Sequence, residues 1–282
     1  MELTSPREVK ELCKKFDFTF SKGLGQNFLL DKNILENIAD AADAEQVLEI
    51  GPGFGVLTYE LCKKCKKVVS IEVDKRLMPV LEYTLSEFDN VNIVWGDVLK
   101  IDLKKLLEEE FSEGEISVAA NLPYYITTPI IAGLLESGLP FKNIIVMIQK
   151  EVAQRICAQP GSKEYGAISV MCQYYSIPEI IGKVPAGSFM PPPKVDSAVL
   201  KLNVTKEPRV RVQDEKMFFK VVKSAFAQRR KTLSNCLSHG LGLDKNTAAE
   251  ILIKCGLTPE IRGEKLGLEE FARISDEIVN LK

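Results

Sequence analysis

The run Asn121-Leu122-Pro123-Tyr124 has the residue types needed to alkylate a planar exocyclic nitrogen. The lone pair of such an amine is delocalised into its ring, so it becomes nucleophilic only as the nitrogen pyramidalises. The Asn121 side-chain oxygen and the Leu122 carbonyl could each accept one N–H, favouring the tetrahedral geometry and positive charge that develop as a methyl group arrives. Pro123 fixes the turn so that both acceptors converge. Tyr124 offers a flat face for a base, worth roughly 1–3 kcal/mol. No metal or strong general base is required, because an N-methylated ammonium loses its proton to water. The same four residues also fit a plain turn whose Asn caps backbone and whose Tyr packs in a core. Phe189, on the stiff loop Phe189-Met190-Pro191-Pro192-Pro193-Lys194, could close the second face of an extruded base. A core Phe on a proline linker is the alternative.

A methyl donor needs its own site, and the residues upstream supply candidates. Gly51, Gly53 and Gly55 permit a tight turn and let a ligand approach with no Cβ in the way. The spacing departs from a dinucleotide fingerprint, since position 56 is Val and the third glycine comes one residue early. Glu72 could accept both ribose hydroxyls of an adenosine, and Asp97 could accept from the exocyclic amine of its adenine. Taken singly, these are also a structural turn, a solvated strand-end acid and a turn or helix-capping residue. Together with the Asn121 motif they describe S-adenosylmethionine.

The elements that must position these residues can be read from hydrophobic periodicity. Ile34, Leu35, Ile38 and Ala42 share a helical face, with Asp31 as N-cap. Residues 46–50 form an apolar strand, the glycine turn follows, and 56–64 is helical. Residues 67–71 form a second strand ending at Glu72, followed by a helix from about Leu77 to Phe88. Runs 91–95 and 115–120 end at Gly96-Asp97 and Asn121. Strands alternating with helices predict a parallel sheet with helices on both faces, whose ligands lie beyond the carboxyl ends of the strands. Runs 143–148, 167–175 and 195–204 are candidates for the remaining strands. Past Lys206 the pattern is helical, which divides the chain into a catalytic domain over 1–205 and a helical domain over 206–282.

Composition narrows the class. The 282 residues include 37 Lys+Arg and 39 Asp+Glu, with 45% hydrophobic residues, which excludes wholesale disorder. The sequence predicts no membrane span and no signal peptide, and so a cytoplasmic protein. Seven scattered cysteines predict reduced thiols; Cys62-Lys63-Lys64-Cys65 lacks a second such pair, so no metal is expected. The single His239 excludes any multi-His metal site. Charge is uneven: residues 188–240 carry 11 Lys+Arg against 4 Asp+Glu, where an anionic partner would be met. Lys216, Lys220, Lys223 and Arg230 fall near one helical stripe that Arg229 and Lys231 extend, while Phe219, Val222 and Phe226 fall on another face. A cationic stripe backed by an apolar one suits phosphate contact; a solvated helix face is the alternative.

The segments Gly25-Gln26-Asn27-Phe28-Leu29, Glu49-Ile50-Gly51-Pro52-Gly53, Glu72, Gly96-Asp97-Val98, Asn121-Leu122-Pro123-Tyr124-Tyr125, 189–199 and 225–233 together resemble the ribosomal RNA adenine N6,N6-dimethyltransferases. Within that family the chain is most similar to the bacterial 16S rRNA branch. The resemblance implies a Rossmann-like class I methyltransferase sheet with a small all-helical C-terminal domain. It implies dimethylation of two adjacent adenosines in a hairpin loop near the 3′ end of 16S rRNA, within the small ribosomal subunit, and a role in assembling that subunit. S-adenosylmethionine contacts are implied at Asn27, Leu29, Gly51, Gly53, Glu72, Asp97 and Asn121. The target adenine would be held by Asn121 and Leu122 on the turn set by Pro123, and stacked between Tyr124 and Phe189. Lys223, Arg229, Arg230 and Lys231 would bind RNA, and a monomer is expected. Three alternatives remain at this stage. One is a relative that methylates a 23S rRNA adenine and confers antibiotic resistance. Another is a DNA or protein amide-nitrogen methyltransferase with an Asn-Pro-Pro-Tyr-like motif. The last is an assembly factor whose methylation is secondary.

Overall fold

The computed structural model describes residues 3–21, 23 and 25–281. The chain forms two compact units, one of residues 1–153 and 179–204, the other of 154–178 and 205–282. The sequence pattern places a single division near residue 205. The chain instead leaves the first unit at Gln154 and returns at Glu179.

The first unit holds α1 (Pro6–Lys15), β1 (Phe28–Leu29), α2 (Lys32–Ala42), β2 (Gln46–Ile50), α3 (Val56–Lys64) and β3 (Lys67–Glu72). It continues with α4 (Met78–Thr84), β4 (Val91–Trp95), α5 (Leu103–Glu110), β5 (Ile116–Asn121), α6 (Thr127–Glu136) and β6 (Phe141–Gln149). The helix α7 (Lys150–Ile156) leads out of it, and the chain re-enters along β7 (Ser176–Val184), then β8 (Phe189–Met190) and β9 (Ser197–Val204). Seven strands form one sheet in the order β4-β3-β2-β5-β6-β9-β7, while β1 and β8 form a separate pair. The sheet is not wholly parallel as expected: β4, β3, β2, β5 and β6 run parallel, and β9 pairs antiparallel with β6.

Local chemistry starts and stops these elements where the patterns require. Asp31 caps α2, its carboxylate accepting from the Ile34 N–H at 3.3 Å, which satisfies one of the orphan donors of a helix start. Leu35, Ile38, Ala39 and Ala42 then face the core. The central strand β2 is buried along its whole length, as a parallel strand covered on both faces must be. The helix expected to reach Phe88 ends at Thr84.

The second unit is helical. It contains α8 (Ala167–Tyr175), α9 (Glu215–Ala227), α10 (Leu233–Leu241), α11 (Lys245–Lys254) and α12 (Leu268–Val279). Its core gathers Tyr174, Phe218, Val221, Leu237, Leu252, Phe271 and Ile274. Residues 167–175, a strand candidate by sequence, form a helix. A short run buried nearly throughout, Ser169 to Tyr174, carries no periodicity to separate the two. The local signal lies at its start, where Ser169 Oγ accepts from the Gly166 N–H at 3.0 Å. Among the described residues no helix is long and apolar enough to cross a membrane.

Candidate active site

Sheet register brings the expected site residues to one edge. Ile50 pairs with Ile71 on one side and Ala120 on the other, and Glu72 pairs with Trp95. The residues just past these pairs are therefore Gly51, Gly96-Asp97 and Asn121, all at the carboxyl ends of adjacent parallel strands. The ladder continues into the turns, with Gly51 N donating to Ile71 O and Gly96 N to Glu72 O, both at 2.9 Å. A cavity opens there, lined by residues 25–29, 50–53, 71–73, 96–98 and 121–126, over an apolar floor that includes Leu35, Ile38, Val56, Leu57 and Ile130. Asn27, Leu29, Gly51, Gly53, Glu72, Asp97, Asn121, Leu122, Pro123 and Tyr124 all line it.

The glycine turn is shaped for close approach. Gly51 has φ +73°, and a Cβ built on it would meet nothing within 4 Å, so its backbone presents an open edge to the cavity. Gly53, at φ +59°, is required for another reason: its Cβ would lie 2.5 Å from Phe28 Cε1. Phe28 stacks on Phe54 with ring centroids 4.5 Å apart, which presses β1 against the turn.

Glu72 is buried. Its carboxylate accepts the Asp74 N–H at 2.8 Å on Oε1 and the Gly53 N–H at 3.3 Å on Oε2. Burial pushes its pKa up, and these backbone bonds oppose that shift. A carboxylate has about four acceptor sites, so a carboxylate held by one N–H on each oxygen keeps capacity for a pair of vicinal hydroxyls. Asp97 Oδ1 accepts the Leu99 N–H at 3.1 Å, and Lys100 Nζ lies 3.4 Å from Oδ2. Asp97 thus shapes its turn and also lines the cavity. Open glycine edge, fixed carboxylate and apolar floor fit the adenosyl group of S-adenosylmethionine.

The turn after β5 is held from several sides. Asn121 Nδ2 donates to the Asn27 carbonyl at 3.0 Å, leaving Oδ1 as the free acceptor of the amide. The Pro123 carbonyl accepts from Ile126 N and Thr127 Oγ1, both at 3.2 Å, which ties the turn to the start of α6. The Tyr124 hydroxyl lies 2.8 Å from Ser197 Oγ, and partial burial raises its pKa. Phe189 is not brought into the cavity wall. It is buried in the hydrophobic core of the unit, because its strand β8 pairs with β1, Phe189 opposite Leu29.

Below the turn, Glu49 is fully buried. Its Oε2 accepts from Thr58 Oγ1 at 2.7 Å and Ser70 Oγ at 2.6 Å, while Oε1 has no partner among the described residues. Burial raises its pKa to about 7.

Sequence reasoning gives no role to Gln26, Asp74 or Arg76. Gln26 lines the cavity, donates to Asp74 Oδ2 at 2.9 Å and accepts from Ser21 N at 2.8 Å. Arg76 pairs with Asp74 at 2.6 Å and holds its carboxyl below the usual carboxylate range. This clamp fastens the segment before β1 to the end of β3. Arg76 two residues after Asp74 hints at a local pair, but no spacing rule links Gln26 to a residue 48 positions away.

The basic residues lie in the helical unit. Lys223 is exposed on α9, but α9 ends at Ala227, so Arg229, Arg230 and Lys231 sit in the turn that follows and not on the expected helical stripe. The reason is tertiary. Arg229 Nη2 donates to the Lys163 carbonyl at 2.7 Å and the Tyr165 carbonyl at 3.3 Å, and lies 3.4 Å from Glu264 Oε2. Arg230 and Lys231 are exposed.

Known proteins are similar to this chain in sequence and fold. A family model described as "Ribosomal RNA adenine dimethylase" matches residues 17–280. The chain is 52% identical to a protein of Shouchella clausii named ribosomal RNA small subunit methyltransferase A, over 98% of this chain and 96% of the relative. A crystal structure of a dimethyladenosine transferase from Plasmodium falciparum is similar at 25% identity and TM-score 0.73, covering 88% of this chain and 95% of that one. The 23S rRNA methyltransferase ErmE is similar at 26% identity and TM-score 0.67, covering 89% and 99%. With the family model spanning nearly the whole sequence and a relative 52% identical over 98% of it, the chain belongs to the ribosomal RNA adenine dimethylase family.

Proposed function

We propose that this protein dimethylates N6 of two adjacent adenosines in the 3′-terminal hairpin loop of 16S rRNA, within the small ribosomal subunit, using S-adenosylmethionine. The reading includes a role in small-subunit biogenesis, action in the cytoplasm where subunits are assembled, and work as a monomer. The choice of the small subunit over 23S rRNA is supported by the 52% identical relative named for the small subunit, against 26% for ErmE.

The observation that carries the reading is the Asn121 amide, pinned through Nδ2 to Asn27 so that Oδ1 is left to accept. When bound, S-adenosylmethionine supplies a methyl group made electrophilic by the attached sulfonium. Asn27, Leu29, Gly51, Gly53, Glu72 and Asp97, which line the cavity, would hold it, with Glu72 able to take the ribose hydroxyls. Asn121 Oδ1 and the Leu122 carbonyl take the two N6 hydrogens of an extruded adenine. Those acceptors draw density toward the nitrogen lone pair and favour the cationic, tetrahedral product of attack. The N–C bond forms as the donor's S–C bond breaks, and the extra proton leaves the nitrogen to water. Tyr124 stacks on the adenine. Phe189 is buried and is not among the residues lining the cavity, so Tyr124 alone is assigned to stacking. Lys223, Arg230 and Lys231 meet RNA phosphates.

The test is transfer of labelled methyl groups to undermethylated 30S particles, 50S particles and naked 23S RNA, with the modified nucleoside identified. Dimethyladenosine in the 30S sample alone is expected. Label in naked 23S RNA would move the protein to the resistance branch, and no label in any RNA would leave an assembly factor.

A further inference from the structure

Tyr125 follows the stacking residue and has no role in the reaction derived above. Its side chain is 59% exposed, yet it lines the same cavity as Tyr124. The other strongly exposed aromatic, Tyr83, is covered by Lys15, whose Nζ lies 3.2 Å from the ring centroid, and packs against Phe16. Tyr125 has no aromatic or cationic partner among the described residues. Gly25, at φ +61°, lies beside the ring: a Cβ there would be 3.5 Å from both Cδ1 and Cε1, in ordinary contact. Tyr125 therefore combines a largely exposed ring with a place in the cavity lining, on the turn that Pro123 sets. A rigid, uncovered aromatic loses little conformational freedom on binding and suits a planar ligand.

We propose that Tyr125 is the stacking platform for the adenosine adjacent to the one in the pocket, a positioning residue that holds the second substrate base while the first is methylated. The inference rests on the function proposed above, because only a substrate with two neighbouring target bases needs two platforms. Consecutive residues on one turn provide them: Tyr124, half-buried and anchored by Ser197, serves the extruded base, and Tyr125 serves its neighbour. Every base has a π-face, so any base can use such a platform, but stacking strength differs between bases. Purines offer the larger face.

The test uses the full chain with Tyr125→Ala, Tyr125→Phe and Tyr125→Trp, assayed on undermethylated 30S particles and on particles carrying uridine in place of one of the two adenosines. Each protein's S-adenosylmethionine affinity is measured by titration without RNA. Tyr125→Ala is expected to lower kcat/KM for the unaltered particle about ten-fold, within what one base–aromatic stack contributes. It should also accumulate particles methylated on one adenosine only. Phe and Trp, which keep the ring, should restore both rate and product distribution. On the uridine particle the gap between wild type and Tyr125→Ala should shrink. Should the uridine particle accept no methyl groups, its affinity in the presence of S-adenosylhomocysteine is compared instead.

Equal kcat/KM for wild type and Tyr125→Ala would overturn the proposal. So would a loss of the same size on both particles, or a fall in cofactor affinity that matches the fall in turnover, which would make the ring a prop for Gly25. Failure of the unaltered protein to methylate any 30S particle would instead overturn the function on which the proposal stands.

Discussion

Asn121 Nδ2 and the main-chain carbonyl of Asn27 meet at 3.0 Å across 94 residues of sequence. A carbonyl oxygen only accepts, so the amide must turn its nitrogen toward Asn27 and keep Oδ1 for another donor. The bond thereby fixes the orientation that the proposed transfer uses. Asn121→Asp preserves size but sets a carboxylate oxygen against a carbonyl oxygen, removing the pin. Both Asn121→Asp and Asn121→Ala are expected to lower single-turnover methyl transfer by about 10²–10³-fold, the scale of losing one preorganised polar group at a transition state. Binding to 30S particles should persist, since the residues assigned to phosphates lie elsewhere. Transfer by Asn121→Asp at the wild-type rate would remove the amide from the mechanism.

Gly53 and Gly51 differ in what a methyl group would meet, and their alanine variants should differ accordingly. At Gly53 the new Cβ lies 2.5 Å and 2.9 Å from Phe28 ring carbons, and that ring is backed by Phe54 and tilted against Phe20. Overpacking of this kind costs about 1–3 kcal/mol, and left-handed backbone at a non-glycine adds about 1–2 kcal/mol. Gly51→Ala carries only the backbone cost, because its Cβ meets open space. In urea unfolding, Gly53→Ala should lose more stability than Gly51→Ala, and Phe28→Leu should recover part of the Gly53→Ala loss. Gly51→Ala should instead weaken S-adenosylmethionine binding out of proportion to its stability. Equal destabilisation by the two variants would contradict this geometry.

Glu49 gives stability a pH dependence of definite sign. Its folded-state pKa is raised from 4.5 to about 7 by burial, and an orphaned Oε1 leaves a charge there uncompensated. The folded state keeps a proton that the unfolded chain releases, so stability falls as pH rises between about 4.5 and 7. The full window is worth about 3 kcal/mol. Glu72, also raised by burial, acts in the same direction. Asp74, held low by Arg76, acts oppositely, but only in more acidic solution. Cys62, pushed up to about 12 chiefly by burial, does not titrate in this range. Urea midpoints measured from about pH 5 to 8 should fall for the wild type and flatten for Glu49→Gln. An unchanged slope in the variant would assign the effect to another group.

Local signals made the cavity edge legible. Each of β2, β3, β4 and β5 ends in the turn or acid that the site uses, and parallel pairing of neighbouring strands aligns those ends without further information. Asp31 as a cap and the helical spacing of Ile34 to Ala42 were equally local. Partners far apart in sequence were not legible. Nothing in Gly25-Gln26-Asn27 announces that Gln26 meets Asp74 or that the Asn27 carbonyl meets Asn121, because backbone carbonyls carry no residue signature. The helix at 167–175 was hidden by uniform burial, which erases period. Phe189 was drawn to the cavity by its proline-rich loop, whereas β8 pairs with β1 and carries the ring into the core.

The end of α9 separates basic residues that look equivalent in sequence. Gln228-Arg229-Arg230-Lys231 contains good helix formers and no glycine or proline, so propensity alone would extend the helix. The Arg229 guanidinium instead binds the carbonyls of Lys163 and Tyr165, and the chain turns there. A guanidinium committed to two carbonyls and to Glu264 is a structural tie, and only the remaining charges are free for phosphates. Arg230→Glu and Lys231→Glu should therefore weaken binding to 30S particles and reduce the dependence of log affinity on log salt by about 0.7–0.9 for each phosphate left unneutralised. Their thermal unfolding should match the wild type. Arg229→Glu should lower the unfolding temperature, because it places a carboxylate against two carbonyl oxygens and Glu264. Arg229→Lys should recover little, since one ammonium cannot reproduce the planar fork. If Arg229→Glu left stability intact and changed the salt slope as the other two do, all three residues would bind phosphate and the tie to 163–165 would be dispensable.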